Sequence, residues 1–197
     1  MPKVTQQYRD ARREEITAAA LRCFASKGFR GTSMSDIIAE SGLSAGAIYG
    51  HFESKHDIIM AVASHVIGNR MDDLRELAAT HPVPAPGVVV ARVMRGIAGD
   101  VAHPALLLQV WGQATIEAGV KELLLSVFAE LRQAYLAYFT AWATEQEGLD
   151  AAGARAWAAR LIPVAIGLAQ GYIVQSALFD EFDQDAYMAS IRELLPG

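Results

Sequence analysis

The side chains able to do chemistry gather in one stretch, Ser33 to Asp57, which reads SMSDIIAESGLSAGAIYGHFESKHD. It offers hydroxyls at Ser33, Ser35, Ser44 and Tyr49, an imidazole at His51 and an ammonium at Lys55. Helix N-termini aim N–H groups at anions, and a lysine beside one adds positive charge, so this set suits an anionic partner. Elsewhere the chain has no nucleophile motif and no nucleotide-binding glycine loop. Its histidines, His51, His56, His65, His81 and His103, show no metal-ligand spacing with cysteine or acids; His51 and His56 lie five apart across a loop. The sequence therefore predicts no catalytic residue, no metal and no cofactor, and a protein that is not an enzyme.

These side chains need helices to position them, and the chain reads as all-α. Ala, Leu, Glu, Gln and Arg are abundant, and neither period-2 alternation nor an Asn-Gly or Asp-Gly turn occurs. A first helix is predicted over 6–27, with Ile16, Ala19, Ala20, Cys23 and Phe24 on one face and Gly28 ending it. Ser33 with Asp36, and Ser54 with Asp57, have capping-box spacing and start the second and fourth helices. Ser44 caps a third helix over 45–52. The second and third are joined by Gly42-Leu43-Ser44, the length and glycine use of a helix-turn-helix. Ile37, Ile38, Leu43, Ile48 and Phe52 can pack together, leaving Ala45, Gly46, Ala47, Tyr49, Gly50 and His51 on the outer side. That is the arrangement by which a helix enters a DNA major groove. Each residue also has a plain structural reading: the serines as caps, His51 as a surface histidine, Tyr49 as a lid on the small core.

At these positions the sequence resembles the TetR family of repressors. The matching residues are Ser33, Met34, Ile37, Gly42, Leu43, Ser44, Gly46, Tyr49, His51, Phe52 and Lys55, with Phe24, Gly28, Phe29 and Thr32 upstream. The match covers about the first sixty residues and departs at Ile38 and Ser41, where alanine is usual. The resemblance implies that Thr32, Ser33 and Ser35 bind phosphate or base, that Ser44, Ala45, Gly46 and Ala47 reach base edges, and that Tyr49, His51 and Lys55 contact phosphate. The reading helix has no Arg, Asn or Gln for bidentate base contacts. Specificity is then expected from thymine methyls, close backbone approach at the glycines and DNA shape, with Lys3 and Arg9 adding contacts from the arm.

The prolines of His81-Pro82-Val83-Pro84-Ala85-Pro86-Gly87 end the long fourth helix, 55–79. Five more helices are predicted at 87–101, 104–117, 119–147, 151–179 and 184–195, about nine in all. Expected domains are a three-helix DNA-binding unit, 1–54, and a larger helical body, 55–197. The resemblance implies that the body dimerises and holds a small-molecule effector. The 151–179 helix is apolar on more than one face, which fits burial against its own copy or a core position in a monomer. Val164, Gly167, Leu168 and Gly171 are the interface candidates, and Pro163 is expected to kink the helix. Met94, Trp111, Thr115, Phe128, Tyr135, Phe139 and Gln170 are the ligand candidates, and each also reads as ordinary core. So apolar a set would take a mostly hydrophobic ligand.

Bulk properties agree. The 197 residues are 52% hydrophobic and 20% charged, with a net charge of −5. Residues 1–70 hold nine Lys/Arg against seven acids, a net +2, and the rest carries −7. A single cysteine, no signal-like N-terminus and no uninterrupted apolar run beyond nine residues (161–169) predict a soluble cytoplasmic protein without a membrane span. The reading is an effector-responsive repressor, expected to act as a homodimer on a palindromic double-stranded operator. A helical small-molecule carrier is the competing non-enzyme reading.

Overall fold

The computed structural model describes residues 6–100 and 104–197, and leaves out the side chains of Ala63, His65, Val66, Ile67 and Asp100. Lys3 and His103 lie outside the described residues. Those that are described form nine helices and no strand. They are α1 (Gln6–Gly31), α2 (Met34–Ser41), α3 (Ala45–Tyr49), α4 (Lys55–Ala78), α5 (Pro86–Asp100), α6 (Ala105–Ala114), α7 (Ala118–Gln146), α8 (Ala151–Leu178) and α9 (Gln184–Leu194). The chain separates into two compact units, Met1–His65 and Val66–Gly197, and the division falls inside α4.

Local chemistry sets the boundaries in the first unit. Gly28 takes φ 71° and breaks the helical path near the end of α1. The Ser33–Asp36 capping box forms as spaced, and Gly42 closes α2 at φ 68°, a left-handed conformation that only glycine adopts freely. Ser54 and Asp57 form the second box: Asp57 N–H donates to Ser54 Oγ, and Ser54 N–H to Asp57 Oδ2. Among the described residues of this unit the buried apolar side chains are Ile16, Ala19, Ala20, Cys23 and Phe24 of α1, Ile37 of α2, Ile48 of α3, Phe52, and Ile58, Ile59 and Val62 of α4. Ile38, read as part of this core, is half-buried, and α3 ends three residues sooner than expected, at Tyr49.

The second unit packs α7 beside α8, with α6 against both and α5 against α9. Its core runs through Leu74, Val90, Met94, Leu131, Tyr135, Tyr138, Phe139, Trp142, Ala158, Ile162 and Ile191. The 79–85 connection is tied to α7. Tyr138 Oη donates to the Pro84 carbonyl, Val83 N–H donates to Glu145 Oε1, and His81 Nδ1 lies 2.6 Å from Glu145 Oε2.

Helix α8 extends well beyond the nine-residue run at 161–169. Over 18 residues its mean hydropathy is 1.5, so by length and composition it could cross a membrane, although only 22% of that window is buried within the chain. Gln170 and Gln175 interrupt the run without lowering the average below that range. The helix continues through Pro163.

Candidate nucleic-acid interface

The first unit holds α3 by few attachments. Ser44 accepts from Ala47 N–H at 3.2 Å and caps its start. Ile48 is its one buried residue, and Phe52 follows as a second anchor. Ser44, Ala45, Gly46, Tyr49 and Gly50 are exposed, while Ala47 and His51 are half-buried. Tyr49 is 50% exposed, so it does not seal the core. A methyl group added at Gly46 would meet nothing, so the packing of the chain does not require glycine there. Together with exposed Ser35 on α2, these residues form one accessible face of hydroxyls, small side chains and backbone.

Besides Ser44, three predicted contact residues have partners inside the protein. Thr32 is buried, and its hydroxyl faces the Cys23 and Gly28 carbonyls at 3.1 and 2.8 Å. Ser33 Oγ is engaged in its capping box with Asp36. Lys55 Nζ donates to the Phe29 and Thr32 carbonyls, both at 2.8 Å, and lies 4.5 Å from the centre of the Phe29 ring. Burial pulls the Lys55 pKa below the ordinary lysine value. Two of its three N–H bonds thus hold the α1–α2 junction.

Sequence reasoning missed the residues that brace this face. Arg13 donates from Nη1 to the His51 carbonyl at 3.0 Å, and its guanidinium carbon lies 4.3 Å over the Phe52 ring. Arg22 pairs with Glu40 at 2.6 Å and Lys27 with Asp36 at 2.5 Å, both joining α1 to α2. The Lys27 pair and the Ser33 bonds hold the Asp36 pKa well below the usual carboxylate range. Arg13 had a visible signal: it stands three residues before Ile16, extending the apolar stripe with a charge.

The candidate effector residues do not share one environment. Met94, Tyr135 and Phe139 are core, with the Tyr135 and Phe139 rings stacked 5.3 Å apart. Trp111, Phe128 and Gln170 are half-buried, and Thr115 is exposed at the end of α6, its hydroxyl turned to the Gly112 carbonyl. The Tyr135 hydroxyl is buried with no hydrogen-bond partner among the described residues, and burial raises its pKa above the ordinary tyrosine value. On α8, Val164 and Gly167 are exposed, whereas Leu168 and Gly171 face α9 of the same chain. Tyr187 Oη donates to the Leu168 carbonyl, and a methyl at Gly171 would lie 3.0 Å from that oxygen.

Two capped helices about a left-handed glycine turn, with the second presenting an open face, define a helix-turn-helix unit. A family model described as bacterial regulatory proteins, tetR family, matches residues 16–62, within the first unit. It is 38% identical over 63 residues to the HTH-type transcriptional repressor AcnR of Corynebacterium diphtheriae, a match covering 32% of this chain and 33% of AcnR. The matches to curated relatives cover from about a quarter to two fifths of those proteins (26–41%). Over nearly its full length the chain shares a fold with Salmonella enterica GusR, at 20% identity and TM-score 0.71 over 98% of this chain and 96% of that one. It also shares that fold with the transcriptional regulator FadR of Bacillus subtilis, solved with stearoyl-CoA, at 18% identity and TM-score 0.65 over 93% and 97%.

Proposed function

We propose that the chain is an effector-responsive transcriptional repressor that works in the cytoplasm as a homodimer on a palindromic operator. The exposed face of α3 carries this reading: Gly46 is open there, and a methyl at its position would meet nothing in the described chain. In the proposed division, residues 1–54 read DNA and 55–197 receive the effector and dimerise. Ser35, Ser44, Ala45, Gly46, Ala47 and Tyr49 would approach base edges or phosphates through short side chains and backbone. Ser33, His51 and Lys55 would contact phosphate, and Thr32 would contribute only its backbone. With no bidentate side chain on α3, sequence preference would come from methyl contacts and DNA shape.

The body supports an effector role through its apolar interior and the Tyr135 hydroxyl, which has no partner among the described residues. A buried hydroxyl without a partner is uncommon, and a ligand oxygen or nitrogen would satisfy it. The effector would be mostly hydrophobic, anchored at Tyr135 and bordered by Met94, Phe139 and the half-buried Trp111, Phe128 and Gln170. FadR, which shares the fold, was solved with an acyl thioester. Dimerisation is supported by the unburied apolar surface of α8 around Val164 and Gly167, with Leu178 and Phe179 also exposed. Repression fits the likeness of the DNA-reading unit to that of AcnR.

The test is binding of the full chain to DNA upstream of its own gene and to a shuffled duplex across a salt series. A repressor prefers its own duplex and weakens as salt rises. Equal binding to both duplexes, or to neither, overturns the reading and favours a carrier.

A further inference from the structure

We propose that Arg13 is a positioning residue for the reading helix, setting the angle at which α3 is presented and thereby sequence preference; this rests on the DNA-binding reading above. Helix α3 has five residues, far below the length at which an isolated helix is stable, and Gly46 weakens it further. Its start is held by the Ser44 cap, and its middle by Ile48. Its exit is held by Phe52, and over Phe52 lies Arg13.

The guanidinium makes two contacts of different kind. Its carbon lies 4.3 Å from the centre of the Phe52 ring, and its Nη1 donates to the His51 carbonyl just beyond the helix. One contact sets height above α1 and the other sets rotation. A positive charge at this end also complements the helix dipole. Arg13 belongs to an ordered stretch of α1: its own carbonyl accepts from the buried Thr17 hydroxyl at 2.7 Å. Lysine supplies the charge and one hydrogen bond but no flat, forked group, so R13K separates geometry from charge.

Arg13 is exposed, so a direct phosphate contact is the competing role, and salt dependence distinguishes the two. Binding of wild type, R13K and R13Q would be measured on the upstream duplex and on a shuffled duplex of equal composition, over a salt series, with thermal unfolding of each protein. The expected result is an R13K protein with wild-type unfolding and salt slope. Its preference for the upstream duplex falls about tenfold, the size of one mismatched base pair. Unchanged preference in R13K overturns the proposal. So does an R13Q protein whose salt slope drops by about one with preference intact, which would make Arg13 a phosphate contact. A lowered unfolding midpoint with wild-type preference also overturns it, leaving Arg13 a stability residue. If wild type itself shows no preference, the DNA-reading proposal fails, and this inference with it.

Discussion

Two polar groups, one half-buried and one in the core, have opposite fates in this chain. The Lys55 ammonium enters a partly buried site where two carbonyls at the end of α1 receive it, and it holds the α1–α2 junction closed. The Tyr135 hydroxyl enters the body core with no partner among the described residues. A buried hydroxyl left unsatisfied carries a desolvation penalty of about 1 kcal/mol or more. Y135F removes that penalty while keeping the ring that stacks on Phe139. The variant is expected to be more stable than wild type by about 1 kcal/mol, read as a higher urea midpoint at unchanged slope. Lower stability would show that the hydroxyl is satisfied in solution and would remove it as a candidate anchor.

At the scale of the element, caps and turn glycines decide where helices start and stop, and ion pairs tie them together. Asp36 both caps α2 and pairs with Lys27. Its pKa is lowered in the folded chain, by Lys27 first and Ser33 next. A lowered carboxylate pKa means a contribution complete above the unfolded value, about 3.9, and lost as pH falls through the folded one. The difference in urea midpoint between wild type and D36N should therefore be constant from about pH 5 to 7 and shrink below about pH 4. Gly46 gives a second expectation. Its methyl position is open and it lies within α3, so G46A should stabilise the fold by up to about 1 kcal/mol. If DNA approaches the backbone there, G46A would also weaken binding to the upstream duplex. Stabilisation with full affinity would remove Gly46 from the contact set.

For the whole molecule, α8 is the element whose surface the chain leaves unfinished. Valine and glycine at 164 and 167 stay open, while Leu168 and Gly171 are taken up by Tyr187 of α9. If a second copy covers the open surface, wild type should sediment as a dimer, and V164D should sediment as a monomer at micromolar concentration with its helix content retained. A V164D dimer would place the interface elsewhere. Helix α4 runs through the division between the two units. An effector shifts the equilibrium only through different affinity for two arrangements. Effector-bound and DNA-bound dimers should then differ in the spacing of their α3 helices, which must be about 34–36 Å to meet successive major grooves. Equal spacing in both would rule out this route.

Helix order, caps and the left-handed turn were legible in the sequence because they depend on residues within four positions of one another. Ser33–Asp36, Ser44–Ala47 and Ser54–Asp57 act at that range, and so does Gly42. The apolar stripes were equally legible, since helical period alone puts Ile16, Ala20, Cys23 and Phe24 on one face. What a polar side chain touches across the fold was not. Thr32 and Lys55 read as surface groups and proved to be engaged inside, and Arg13 reaches His51, 38 positions away. The helix-turn-helix itself was therefore determined by sequence. Which of its cations hold the fold, and which remain for a partner, was decided only by the tertiary structure, because those hydrogen bonds join segments far apart in the chain.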